Sequence, residues 1–127
     1  METSGTSLAR PLRMRRTERF AVNLPVTWNR AGRRVPCVAV DVNQHGMFLS
    51  TEEIVEHESL LHVKVQVGDR ELEMFVTARF VGQTMSGRGI GCEIFLIDDV
   101  AQRHWLAYYE ELVATHARAK SSVAASG

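Results

Sequence analysis

The stretch Leu61-His62-Val63-Lys64-Val65-Gln66-Val67-Gly68-Asp69-Arg70-Glu71-Leu72-Glu73-Met74-Phe75-Val76 decides the fold class. Leu61, Val63, Val65 and Val67 are apolar at every second position, with His62, Lys64 and Gln66 between them. After Gly68-Asp69 the pattern restarts as Leu72, Met74, Val76, Ala78 and Phe80, alternating with Glu71, Glu73, Thr77 and Arg79. A strand sends successive side chains to opposite faces, so each run reads as a half-buried strand. The Gly-Asp pair between two such runs is a two-residue hairpin signal.

The same period spreads outward in both directions. Phe20, Val22, Leu24, Val26 and Trp28 form an earlier alternating run, bent or edge-placed where Pro25 removes a backbone donor. Arg30-Ala31-Gly32-Arg33 reads as a turn, Val38, Val40 and Val42 as a second strand, and Met47 to Ser50 as a third, after the turn Asn43-Gln44-His45-Gly46. Gln83 to Gly87 closes a further hairpin into Ile90, Cys92, Ile94 and Leu96. The period then lengthens: Trp105, Tyr109, Leu112, Val113 and His116 fall at helical spacing, with Asp98 or Asp99 available as a cap. The expectation is a mainly β fold, a six-stranded antiparallel β-barrel, closed or partly open, with a C-terminal α-helix over an open mouth or a sheet face. Residues 1–14 are expected as a flexible basic arm, 15–116 as the barrel with its helix, and 117–127 as a disordered tail.

Composition fits one ordinary globular domain: 127 residues, 45% hydrophobic and 24% charged. Apolar runs such as Ile94–Ile97 are far too short to cross a bilayer, and Met1–Arg16 lacks the apolar core of a secretory signal. A cytoplasmic location is expected, with Cys37 and Cys92 as reduced core thiols. The net charge of zero conceals a division. Residues 1–36 hold eight arginines against Glu2 and Glu18, a net of +6, and the remainder carries −6. The basic end suits a phosphate-bearing ligand, while the acidic body opposes general nucleic-acid binding.

Catalytic readings fail early, and no enzyme activity is expected. His45, His57, His62, His104 and His116 show no metal-ligand spacing with one another or with the cysteines, so no metal site is expected. Asp41, His45 and Ser50 come from one short turn-and-strand segment without a nucleophile elbow. Gly87-Arg88-Gly89-Ile90-Gly91 opens a strand instead of a helix and is not a dinucleotide fingerprint; its glycines suit a hairpin, a bulge or close packing near the helix.

Two features remain. Arg15-Arg16-Thr17-Glu18-Arg19-Phe20 carries an Arg-x-x-x-Arg just before the first strand, and Asp41-Val42-Asn43-Gln44-His45-Gly46 is a polar turn ending in glycine. In this order, on entry to a six-strand pattern that ends in Gly89-Ile90-Gly91, they resemble the PilZ domain family. That family pairs Arg-x-x-x-Arg with an [Asp/Asn]-x-Ser-x-x-Gly turn, and the resemblance runs from Arg15 to Val113. It implies a cyclic di-GMP receptor that passes its signal to a partner protein, with no cofactor. Arg15 and Arg19 match the family's arginines, and Arg16 beside them joins the candidate set. A guanidinium fork can pair with guanine O6 and N7 or with phosphate oxygens. Asp41 matches the acidic position, where a carboxylate can accept from guanine N1 and N2. Gly46 matches the glycine, whose missing side chain permits positive φ and close backbone approach. Asn43 stands where the family usually has Ser; its amide can serve the ligand or satisfy the turn. PilZ domains take up one ligand or a stacked pair. The residue before the first motif arginine matters to that choice, and Met14 there implies one per chain. Two rivals stand beside this reading: a PilZ-like docking module that binds no nucleotide, and a small nucleic-acid-binding barrel. The acidic body and the lack of surface aromatics among basic residues count against the second rival.

Overall fold

The computed structural model describes the backbone of residues 18–85 and 87–126, and side chains as far as Ala119. Six strands form: β1 (Phe20–Arg30), β2 (Arg33–Asn43), β3 (Gly46–Ser50), β4 (Leu60–Val67), β5 (Arg70–Thr84) and β6 (Gly87–Ile97). One helix, α1 (Asp99–Ser126), follows. The strands close a barrel in the order β1-β2-β3-β6-β5-β4, every pair antiparallel. Ala31 (φ 52°) and Gly32 (φ 79°) are both left-handed between β1 and β2, the signature of a type I′ hairpin turn. Along its second edge β1 pairs with β4 only from Val26 to Asn29. Pro25 falls just before that stretch, where its missing N–H leaves no ladder bond unmade.

The interior is filled by Leu24, Val26, Trp28, Leu61, Val63, Val65, Leu72, Met74 and Val76, the positions that alternation marks. Antiparallel order brings the start of β1, the β2–β3 turn and the β4–β5 turn to one end of the barrel. The helix covers that end. Ala101, Trp105 and Tyr109, spaced by four, are its buried face. Asp98 caps it, its Oδ1 accepting the Ala101 N–H at 2.8 Å.

Of four register slips among the described residues, three overturn part of the alternation. The register slips between Ala39 and Asp41 on β2, between Ala78 and Phe80 on β5, and between Phe75 and Val76, where β6 carries Phe95 as its extra residue. An extra residue reverses which face the next side chain meets. Ala39 therefore enters the core in place of Val38 and Val40, while Val42 is buried as expected. Phe80, expected inside, is 44% exposed, and Leu96 is 59% exposed.

The helix also outlasts expectation, running to Ser126 where a frayed tail is expected from Ala117 onward. Ala117, Arg118, Ala119 and Lys120 are strong helix formers, and neither Pro nor Gly intervenes before Gly127. Both cysteines are free thiols. Burial pushes Cys37 up to about 11 and Cys92 up to about 12. Among the described residues no helix is long and apolar enough to cross a membrane.

Candidate ligand-binding site

The β2–β3 turn is fixed from three sides. Within it, the His45 N–H donates to Asn43 Oδ1 at 2.8 Å. From β6, the Ile94 N–H donates to the His45 carbonyl at 2.7 Å. From α1, the Trp105 indole N–H donates to the Gln44 carbonyl at 3.0 Å. Gly46 ends the turn for a steric reason. A Cβ there would stand 2.0 Å from the Cys92 carbonyl oxygen, so only glycine lets β3 approach β6 this closely. Its φ does not lie in the left-handed region, so the expected need for positive φ does not hold and the close approach does.

The entry to β1 is held by the same helix. Tyr109 donates its hydroxyl hydrogen to the Glu18 carbonyl at 2.9 Å. Its ring meets Phe20 edge-on at 5.5 Å. Arg19, between these two anchored residues, turns outward and places Nη1 2.5 Å from Asp41 Oδ1. Asp41 lies opposite Ala21 on β1 and Phe48 on β3, beside a register slip in each pairing. The bulges aim this carboxylate at the arginine.

Next to this pair lies an open cleft of about 310 Å³, lined by Arg19, Asn43, His45, Gly46, Arg79, Phe80 and Glu93, with Gly91 and Cys92 beneath. Arg79 is the bulge residue of β5. Its Nη1 donates to Glu58 at 2.6 Å and its Nε to Glu93 at 2.8 Å. Its hydrogen bonds to Glu58 and then to Glu93 hold the guanidinium still more firmly protonated than usual. The same bulge turns the Phe80 ring outward to the cleft wall. Gly91 packs beside it, where even an added Cβ would make ordinary van der Waals contact, 3.4 Å from the Phe80 Cβ.

Of the residues marked in the sequence, Arg19, Asn43 and Gly46 line one cleft, and Asp41 adjoins it through Arg19. Arg15 and Arg16 lie outside the described residues, as does Met14. Arg79, Phe80, Glu93 and His45 were not marked. Alternation puts Arg79 on a polar face and Phe80 in the core, and only the bulge brings both to the cleft. Ser50 pairs with Val38 and Gly89 at the far end of β3, about 13 Å along the strand from the turn, so it does not meet Asp41 and His45. Gly89 serves strand contact: a Cβ would stand 2.1 Å from the Leu49 carbonyl oxygen of β3. Of the roles expected for Gly87, Gly89 and Gly91, a hairpin, a bulge or packing near the helix, Gly87 (φ 109°) takes the first, closing the β5–β6 hairpin opposite Thr84.

The PilZ domain model matches residues 14–111. The chain belongs to the PilZ domain family. Its barrel is similar to the Bacillus subtilis inhibitor of motility (MotI/DgrA), with a TM-score of 0.68 and 13% identity over 76% of this chain and 50% of that one. The PilZ chain thus spans half of that protein's length. It is also similar to the PilZ domain of CeSA from a cellulose-synthesizing bacterium, with a TM-score of 0.57 and 17% identity over 75% of this chain and 97% of that one. At these identities the likeness is one of fold. A comparison with curated proteins finds no match.

Proposed function

We propose that this PilZ domain is a non-catalytic receptor for cyclic di-GMP that hands its signal to a partner protein in the cytoplasm. The observation that carries the reading is the convergence of Arg19, Asn43 and Gly46 on one cleft, with Asp41 held against Arg19. The two motifs lie about 20 residues apart in sequence, and the β1–β2 hairpin register, with Phe20 opposite Val42 and Ala21 opposite Asp41, sets them side by side.

The charges at the cleft suggest how binding proceeds. Arg19 is paired with Asp41, and Arg79 with Glu58 and Glu93, so carboxylates outnumber guanidinium groups there. A ligand with two phosphates needs more positive charge, which Arg15 and Arg16 would supply from the segment before β1. Exposed ion pairs contribute only about 0.2–1 kcal/mol, so exchanging the Asp41 partner of Arg19 for a phosphate or a guanine edge costs little. Asp41, once released, accepts from guanine N1 and N2. Asn43 Oδ1 is engaged by the turn, so its contact with a ligand would come from Nδ2. The outward Phe80 ring offers a face on which a base can stack.

Calorimetric titration with cyclic di-GMP tests the reading. Saturable binding near one ligand per chain is expected, since Met14 supplies no charge for a stacked second ligand. A ratio near two would overturn the stoichiometry alone. No heat at high micromolar ligand would favour the second reading, a docking module without nucleotide. The surplus of carboxylates at the cleft and the engaged Asn43 oxygen support that alternative.

A further inference from the structure

The face of β4, β5 and β6 that points away from the core is apolar where a solvated wall should be polar. Leu60 is 54% exposed, Phe95 66% and Leu96 59%. Cross-strand register joins them: Leu60 lies opposite Thr77, and Phe75 lies opposite both His62 and Leu96. The His62 ring stacks on Phe75 at 4.7 Å. Thr77, although on the outer face, is buried among these neighbours. The cause is the β6 bulge, which leaves Phe95 and Leu96 both in solvent. A groove of about 320 Å³ runs along this face between Phe75, Leu96, Glu73 and Asp98.

The rim is acidic. Glu73 and Asp98 border the groove; Glu93 lies opposite Thr77, the ladder partner of Leu60, and Glu58, two residues before Leu60, shares Arg79 with Glu93. Against these four carboxylates stand Arg79, Lys64 opposite Glu73 in the ladder, and two imidazoles, His62 paired with Glu73 and His57 with Glu58. Contiguous exposed apolar surface rimmed by polar groups marks a contact site. The closed barrel offers no strand edge there to extend. A second copy of the chain would bring like-charged rims together, which opposes association.

We propose that this outer face docks a segment of a partner protein that carries apolar side chains flanked by lysine or arginine. Arg79 moderates the attraction by occupying Glu58 and Glu93. The proposal stands whether or not the domain binds nucleotide.

The test uses a fluorescent synthetic peptide alternating leucine and lysine, and a twin with glutamate for lysine, titrated against the full chain by anisotropy. The lysine peptide should bind at least about tenfold tighter than its twin. The exposed double substitution Phe95→Ser/Leu96→Ser should weaken it about tenfold or more without lowering the melting temperature. Glu73→Gln should weaken it severalfold, and Arg79→Gln should tighten it by uncovering Glu58 and Glu93. Unchanged binding by the double serine variant would overturn the proposal, because attraction by net charge alone would then suffice. A dimer in sedimentation that the same variant dissociates would assign the face to a second copy and overturn it too. A tenfold gain in affinity on replacing Arg10 and Arg13 by alanine would assign it to the chain's own N-terminal segment, with the same consequence.

Discussion

Trp105 and Tyr109 are each 1% exposed, and each gives its one polar hydrogen to a backbone carbonyl at the edge of the candidate site, Gln44 and Glu18 respectively. Arg19 and Arg79, a short distance away, are half exposed and hold carboxylates that water or a ligand could replace. The first pair fixes where the turn and the strand entry stand. The second supplies what a ligand would meet. Residues that position this site and residues that would touch its ligand thus belong to different physical environments, and their substitution should have different signatures.

The largest effect is expected under the helix. Trp105→Ala removes a fully buried ring and should cost about 3–5 kcal/mol in denaturant unfolding. It also leaves the Gln44 carbonyl without its donor. Near-native stability in that variant would break the comparison, because the helix would then not hold the turn. Next comes Arg19→Ala, which should lose about 2–5 kcal/mol of cyclic di-GMP binding by calorimetry. Its melting should shift by no more than about 0.5 kcal/mol of stability, the usual limit for an exposed side chain. Equal losses in both measurements would make Arg19 structural.

How much of this was legible in the sequence follows the same division. The inward faces of β1, β4 and the first part of β5 were readable because period-two burial leaves a direct trace in residue type. So were Asp98 as a cap and the spacing of Trp105 and Tyr109. The bulges left no such trace. Arg79-Phe80 and Phe95-Leu96 look like any continuation of an alternating strand, and only cross-strand register reveals the extra residue. The cleft's Arg79, Phe80 and Glu93 were hidden for that reason. Gly46 was marked for its motif position, but the need for glycine there has a basis the sequence does not display: contact with the Cys92 carbonyl requires it, and backbone torsion does not.

Gly46 supplies an intermediate test. Gly46→Ala sets a methyl group against backbone, which cannot rotate aside as a side chain would, so a loss of roughly 1–3 kcal/mol or somewhat more is expected. Thermal unfolding measures it. Binding should fall as well, because separating β3 from β6 moves the turn that carries Asn43. A variant with native stability would show that the two strands part without cost.

Asn43→Ser should have the smallest effect, and its sign matters more than its size. The Asn43 oxygen accepts the His45 N–H, a local bond that a serine hydroxyl also makes, though more weakly. Stability should therefore change by no more than about 0.5 kcal/mol. At the ligand, serine exchanges an amide for a smaller hydroxyl that can both donate and accept. If the amide only substitutes for that hydroxyl, cyclic di-GMP affinity should hold or rise, by at most about tenfold, the effect of one modest hydrogen bond. A fall in affinity would mean that Asn43 Nδ2 makes a contact serine cannot reach. Binding that appears only in the serine variant would mean that the exposed arginine edge exists without its ligand, and the docking reading would replace the receptor reading.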